Sequence, residues 1–197
     1  EQTTNNNISD MSLFEYMATI VAIVLGLATA NLLKMFSKVI VIVNWRDMGW
    51  FLALWCLILI IVLLGYFWVF WRIYSDIVQI SIWEFILVPF FTVICFFLSS
   101  EFFPAPKGRE NQICLQKYFI EARKPFFITL FLLWAHLLVG AEIIGFEQSA
   151  FEILFGLLMI ILSFSGIFLT TIRAHKILVI LWSASFLSQE AIQIAIG

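Results

Sequence analysis

Residues Met48–Trp71 read MGWFLALWCLILIIVLLGYFWVFW, twenty-four positions without one charged side chain. A helix needs roughly 20 such residues to cross the hydrocarbon core of a bilayer. Nothing in water would hold this segment unless it were buried on every side. The rest of the chain offers too little polar surface to do that. Of 197 residues, 63% are hydrophobic and 12% charged, against about 45–50% and about 25% for a soluble domain. The mean hydropathy is +1.04. Lipid must therefore replace water as the main solvent, with every backbone group paired inside a helix.

Working outward, five more apolar segments reach a similar length. The spans expected are Leu13–Leu33, Met48–Trp71, Trp83–Phe103, Pro125–Gly145, Ala150–Ile172 and Ile177–Gly197, after a polar tail over residues 1–11. Val39–Val43 reads as a helical continuation of the first span into the interface. Pro89 predicts a bend in the third span, which Pro104 and Pro106 stop. Pro125 suits a first helical position, and Ser149 with Glu152 has the spacing of a capping box. The fold class predicted is an all-α, six-span transmembrane bundle forming one domain.

Basic residues set the orientation. Lys34, Lys38 and Arg46 follow the first span. Lys107, Arg109, Lys117, Arg123 and Lys124 fall in a loop over residues 104–124, and Arg173 and Lys176 follow the fifth span. Only Arg72 lies on the other side. Both termini are thus expected on the non-cytoplasmic face. Trp45 and Trp50 at one interface, with Trp68, Trp71 and Trp83 at the other, agree with this. The 107–124 loop mixes its cations with Ile113, Leu115, Tyr118, Phe119 and Ile120. Such a segment can lie on the inner leaflet or dock a cytoplasmic protein partner. A net charge of −2 gives no footprint for nucleic acid.

Ionisable groups within a span are expensive and mark function. His136 stands eleven residues past Pro125, about 16 Å along the axis and near the midplane. Its readings are a proton relay, a metal or haem ligand, a quinone contact, or an imidazole bonded to a neighbouring helix. His175 at the membrane edge makes paired haem ligation within one chain unsuitable, and no metal or cofactor is predicted. Glu190 sits about 20 Å from the start of the sixth span, on a stripe with Ser183 and Gln193. The outer side carries Glu15, Asp76, Glu84, Glu142, Glu147 and Glu152, a field that would concentrate cations. Gly26 with Ala30, Gly140 with Ala141 and Gly145, and Gly156 with Ser163 and Gly166 are expected helix seams, within the chain or within a homo-oligomer. Cys56, Cys95 and Cys114 read as unpaired, and the polar start does not resemble a cleavable leader.

Three segments resemble a large group of small, uncharacterised bacterial inner-membrane proteins. These are Leu13-Phe14-Glu15-Tyr16 leading to the run Gly26–Leu33, then Leu87-Val88-Pro89 with Phe103-Pro104, and the string Lys117–Phe127. Pro125 departs from that pattern, in which a large aromatic is common. The resemblance implies a bacterial inner membrane and brings no activity with it. An inverted repeat of two three-span halves would suit a transporter, although Pro89 has no counterpart in the second half. The expected function is an ion or small-solute pathway. The alternative is a sensing or interaction module acting through the 107–124 loop. The sequence has no catalytic motif pointing to an enzyme.

Overall fold

The computed structural model describes residues 13–42, 49–75, 80–104 and 115–196, and among them the chain is all helical. Six long helices follow one another: α1 Leu13–Ile42, α2 Trp50–Tyr74, α3 Ile82–Glu101, α4 Leu115–Ile143, α5 Ala150–Phe168 and α6 Ile172–Ile196. Helices α1 to α5 are long and apolar enough to cross a membrane, which makes the chain a multi-pass membrane protein by length and composition. Helix α6 has the length, but Arg173, His175 and Lys176 at its start and Ser188, Gln189 and Glu190 further on dilute its apolar content.

Local chemistry explains several boundaries. Ser149 and Glu152 form the expected capping box, each side chain taking the other's backbone N–H, and α5 opens at Ala150. Ser81 and Glu84 form a second box at the start of α3, which the sequence reading passed over. Gly145 takes a φ of +67° in the turn after α4, a conformation open to glycine.

Two boundaries correct the expectations. Pro125 does not open α4; the helix starts ten residues earlier at Leu115, with Pro125 inside it. The proline ring removes the bond its N–H would have given to Glu121, but both residues are exposed, so that carbonyl can be solvated. The turn between α5 and α6 is also tighter than expected. It spans only residues 169–171, because α5 stops at Phe168 and α6 begins at Ile172.

The helices close a circuit: α1 packs on α2, α2 on α6, α6 on α5, α5 on α4, α4 on α3, and α3 back on α1. Aromatic rings fill the middle at one end. Trp55 of α2 meets Phe126 at 5.5 Å, Phe127 at 5.6 Å and Trp182 at 5.4 Å between centroids. Large apolar side chains also cover the outside. Trp68 is 72% exposed and Leu154 66% exposed, and Ile161 and Phe168 are exposed further along α5, a surface suited to lipid. Several Ser and Thr hydroxyls are satisfied within their own helices. Thr29, Thr92, Ser99, Thr129 and Ser165 each donate to a carbonyl three or four residues back, as hydrocarbon surroundings require.

Candidate functional site

Helix α3 departs from regular geometry at Pro89. Without an N–H this residue cannot donate to the preceding turn, and Ile86–Phe90 widen into a π-helical turn. Carbonyls of the widened turn gain partners from neighbouring helices. The Val88 carbonyl accepts from Thr92 Oγ1 at 2.8 Å and meets His136 Nε2 of α4 at 3.2 Å. The Pro89 carbonyl accepts from the Tyr66 hydroxyl of α2 at 3.4 Å. A carbonyl oxygen can only accept, so Nε2 of His136 carries the proton, and a neutral ring keeps Nδ1 as an acceptor. The imidazole also lies 4.5 Å from the Phe91 ring.

Gly140, one turn beyond His136, lets α4 approach this turn. A Cβ there would stand 3.2 Å from Val88 Cγ1 and 3.7 Å from His136 Nε2. Beside these residues is a cavity of about 160 Å³ between α2, the widened turn of α3, and the end of α4. Tyr66, Tyr74, Thr92, His136 and Gln148 supply its polar lining among Val, Ile, Leu and Phe side chains. Tyr74 is buried, and its hydroxyl has no hydrogen-bond partner among the described residues. A larger hollow of about 470 Å³ lies between the starts of α1 and α3, walled mainly by Leu13, Met17, Ile20, Phe85 and Phe90.

The other expected site residues are distributed over the bundle. Ser183 is buried on α6 and Glu190 is half-buried. The buried amide on that helix is Gln189, while the side chain of Gln193 lies outside the described residues. Neither Ser183 nor Glu190 lines the His136 cavity. Glu15 and Glu142 are exposed, and Glu152 is committed to its capping box. Gly26 and Ala30 are exposed, and a Cβ at Gly26 would meet nothing within 4 Å. The buried seam of α1 runs instead through Met17, Val21, Leu25, Ala28 and Leu32. Gly166 is a true close approach, since a Cβ there would fall 2.2 Å from Phe127 Cδ1.

Of the expected basic loop, Lys107 and Arg109 lie outside the described residues. Lys117 is exposed and 3.9 Å from Glu121, and Lys124 is exposed too. Arg123 corrects the surface expectation. It is buried on the inward face of α4 and donates to the carbonyls of Ile120 and Ile167. His175, read from sequence only as an edge residue, is fully buried. It stacks on Phe127 at 5.3 Å, meets Phe119 edge-on at 5.1 Å, and its Nε2 bonds the Leu169 carbonyl at 3.0 Å. Arg123 and His175 thus hold carbonyls at and just beyond the end of α5, where the helix leaves them unpaired.

Among the described residues, no three His, Cys, Asp or Glu side chains are grouped to hold a metal ion. The described cysteines, Cys56 and Cys95, are free and buried. The cavity beside His136 can therefore be described as a neutral, mostly apolar chamber with a few hydrogen-bonding groups. Comparison with protein-family models, curated proteins and solved structures finds no match to this chain.

Proposed function

We propose that the chain is a six-span protein of a bacterial inner membrane that binds a small neutral molecule in the His136 cavity and relays its presence to the cytoplasmic side. Both termini are outside in this reading, and α6 makes the sixth crossing. The basic residues of the loops, sorted to one face, support the orientation. The cavity then lies in the outer half.

One observation carries the relay. Helix α4 is unbroken over 29 residues, about 43 Å at its usual rise. It presents His136 and Gly140 to the cavity and Lys117, Glu121 and Lys124 to the other end of the bundle. A shift of α4 on filling the cavity would move the surface that meets a cytoplasmic partner. Mostly apolar walls with a few convergent polar groups are what a small-molecule site requires. No Asp, Glu, Lys or Arg lines the cavity, so a charged guest would lack a counter-ion and a neutral one is the better reading.

The test is a panel of small neutral molecules added to purified protein. A guest should raise Tm in the parent but not after Ala141→Leu, which fills the cavity, and should alter amide hydrogen exchange over residues 115–124. A panel without a single saturable guest, or a guest that leaves that exchange unchanged, contradicts the proposal.

The pathway reading keeps one supporting observation. Ser183 Oγ and Gln189 Oε1 are buried without partners among the described residues, on the helix that carries half-buried Glu190. Unspent polar atoms of this kind suit a wet seam between copies of the chain. Flux into liposomes that is abolished by Glu190→Gln would favour it; equal flux, or none in the parent, removes it.

A further inference from the structure

We infer that the hollow between the starts of α1 and α3 holds one acyl chain of a zwitterionic phospholipid, drawn from the leaflet that meets those helix ends.

The shape of the hollow follows from how the two helices meet. Helix α1 packs on the Phe91–Glu101 part of α3. There Asn31 Nδ2 donates to Ser100 Oγ at 3.4 Å and to the Glu101 carboxylate. Towards their starts the helices part and leave a cleft of about 470 Å³. One wall is Leu13, Tyr16, Met17 and Ile20, which share a face of α1. The other includes Phe85 and Phe90, whose rings lie 6.1 Å apart, and Ile86. From Leu13 to Ile20 is about 10 Å along the axis of α1, so the cleft runs with the helices, as acyl chains do. Met17 is 2% exposed at its floor, while Tyr16 and Ile82 at its rim are 56% and 69% exposed. The cleft is thus open to the outside of the bundle.

Chemistry selects the occupant. Among the lining side chains only Tyr16 and Ser81 carry a polar group, and Ser81 Oγ already accepts from the Glu84 N–H. An ordered water wants about three hydrogen bonds, which this lining does not offer. Hydrocarbon is the solvent around a multi-pass membrane protein, and apolar walls favour it. The head is constrained by charge. Exposed Glu15 and Glu84 adjoin Tyr16 and Phe85 in the chain, and no Lys or Arg lines the cleft. A fatty acid would bring a free carboxylate to an acidic end of the bundle; a zwitterionic phospholipid brings no net charge.

The experiment releases the full chain from nanodiscs of phosphatidylethanolamine and phosphatidylglycerol in equal amounts into a native mass spectrometer. Ile86→Trp and Leu154→Trp are run beside the parent, each checked for monodisperse elution and retained helical content. Ile86 lines the cleft and Leu154 is exposed on α5, so similar bulk is added inside and outside it. The parent and Leu154→Trp should keep one phosphatidylethanolamine after the other lipids are stripped. Ile86→Trp should keep it at least about tenfold less often, because the added ring takes the place of the chain. A parent that loses every lipid together, or a lipid kept equally by Ile86→Trp, overturns the inference. Equal loss from Leu154→Trp makes the lipid part of the general annulus and overturns it too. Retained phosphatidylglycerol or fatty acid overturns the head assignment, and a lipid-free dimer gives the cleft to a second copy of the chain.

Discussion

The two histidines stand at opposite ends of one bundle, and the ends are built differently. His175 sits where Phe119, Phe126, Phe127, Trp55 and Trp182 pack ring against ring, and it has no exposed surface. Its imidazole serves as one more flat group in a filled space while fixing a carbonyl of the α5–α6 turn. His136 sits where Pro89 has widened α3, Gly140 has thinned α4, and a chamber remains open. Completeness of packing separates the two. A closed end resists change, and an open end leaves room for a guest. Natural interiors are close-packed, so a lined and partly polar void is the less ordinary of the two arrangements.

Substitutions at the closed end should hurt most. Phe127→Ala removes a fully buried ring that touches Trp55, Phe126 and His175, and should cost about 3–5 kcal/mol in unfolding from mixed micelles. A loss below about 1 kcal/mol would mean that the rings are loosely held. Gly166→Ala comes next, because its Cβ would lie 2.2 Å from the Phe127 ring. A destabilisation of about 1–3 kcal/mol is expected. The same change made in the Phe127→Ala background should cost much less, a coupling of about 0.5–3 kcal/mol. Additive losses would break the proposed contact.

At the open end, the same substitution should be mild. Gly140→Ala brings a Cβ to 3.2 Å from a Val88 methyl, which can yield into the cavity. It also gains helix propensity of about 0.8–1.0 kcal/mol, so the net change should stay within about 1 kcal/mol of zero. A loss as large as that of Gly166→Ala would erase the contrast between the ends. The smallest packing effect belongs to Gly26→Ala, whose Cβ meets nothing; only the propensity gain, up to about 1 kcal/mol, should appear. A clear loss there would reveal a partner seated on α1.

The apolar runs made the helical architecture legible, and Ser149 with Glu152 fixed the start of α5 to the residue. Pro89 announced an irregular turn. Other features were written in the sequence in a less direct form. Phe119, Arg123, Phe126, Phe127 and Leu130 recur at the three- and four-residue spacing of one helix face, and that periodicity carries α4 back through the supposed loop. Read singly, Pro125 outweighed it and Arg123 looked like surface charge. His175 likewise heads the buried line of Leu178, Val179, Trp182 and Phe186 on α6. The cavity had no such signal. It arises from Tyr66 and Tyr74 of α2, the turn at Pro89 and the end of α4 meeting in space, and only the circuit of helices brings them together.

Reactivity of two equally buried thiols tests the contrast between the ends most directly. Thr92 lines the cavity at 1% exposure, and Ser163 lies towards the closed end at 0%. In a background with Cys56, Cys95 and Cys114 replaced, Thr92→Cys and Ser163→Cys would be treated with methyl methanethiosulfonate in micelles. The account predicts modification of the Thr92→Cys thiol at least about tenfold faster, because reagent enters the chamber while the other site waits for local opening. Equal rates, or faster reaction at position 163, would contradict it.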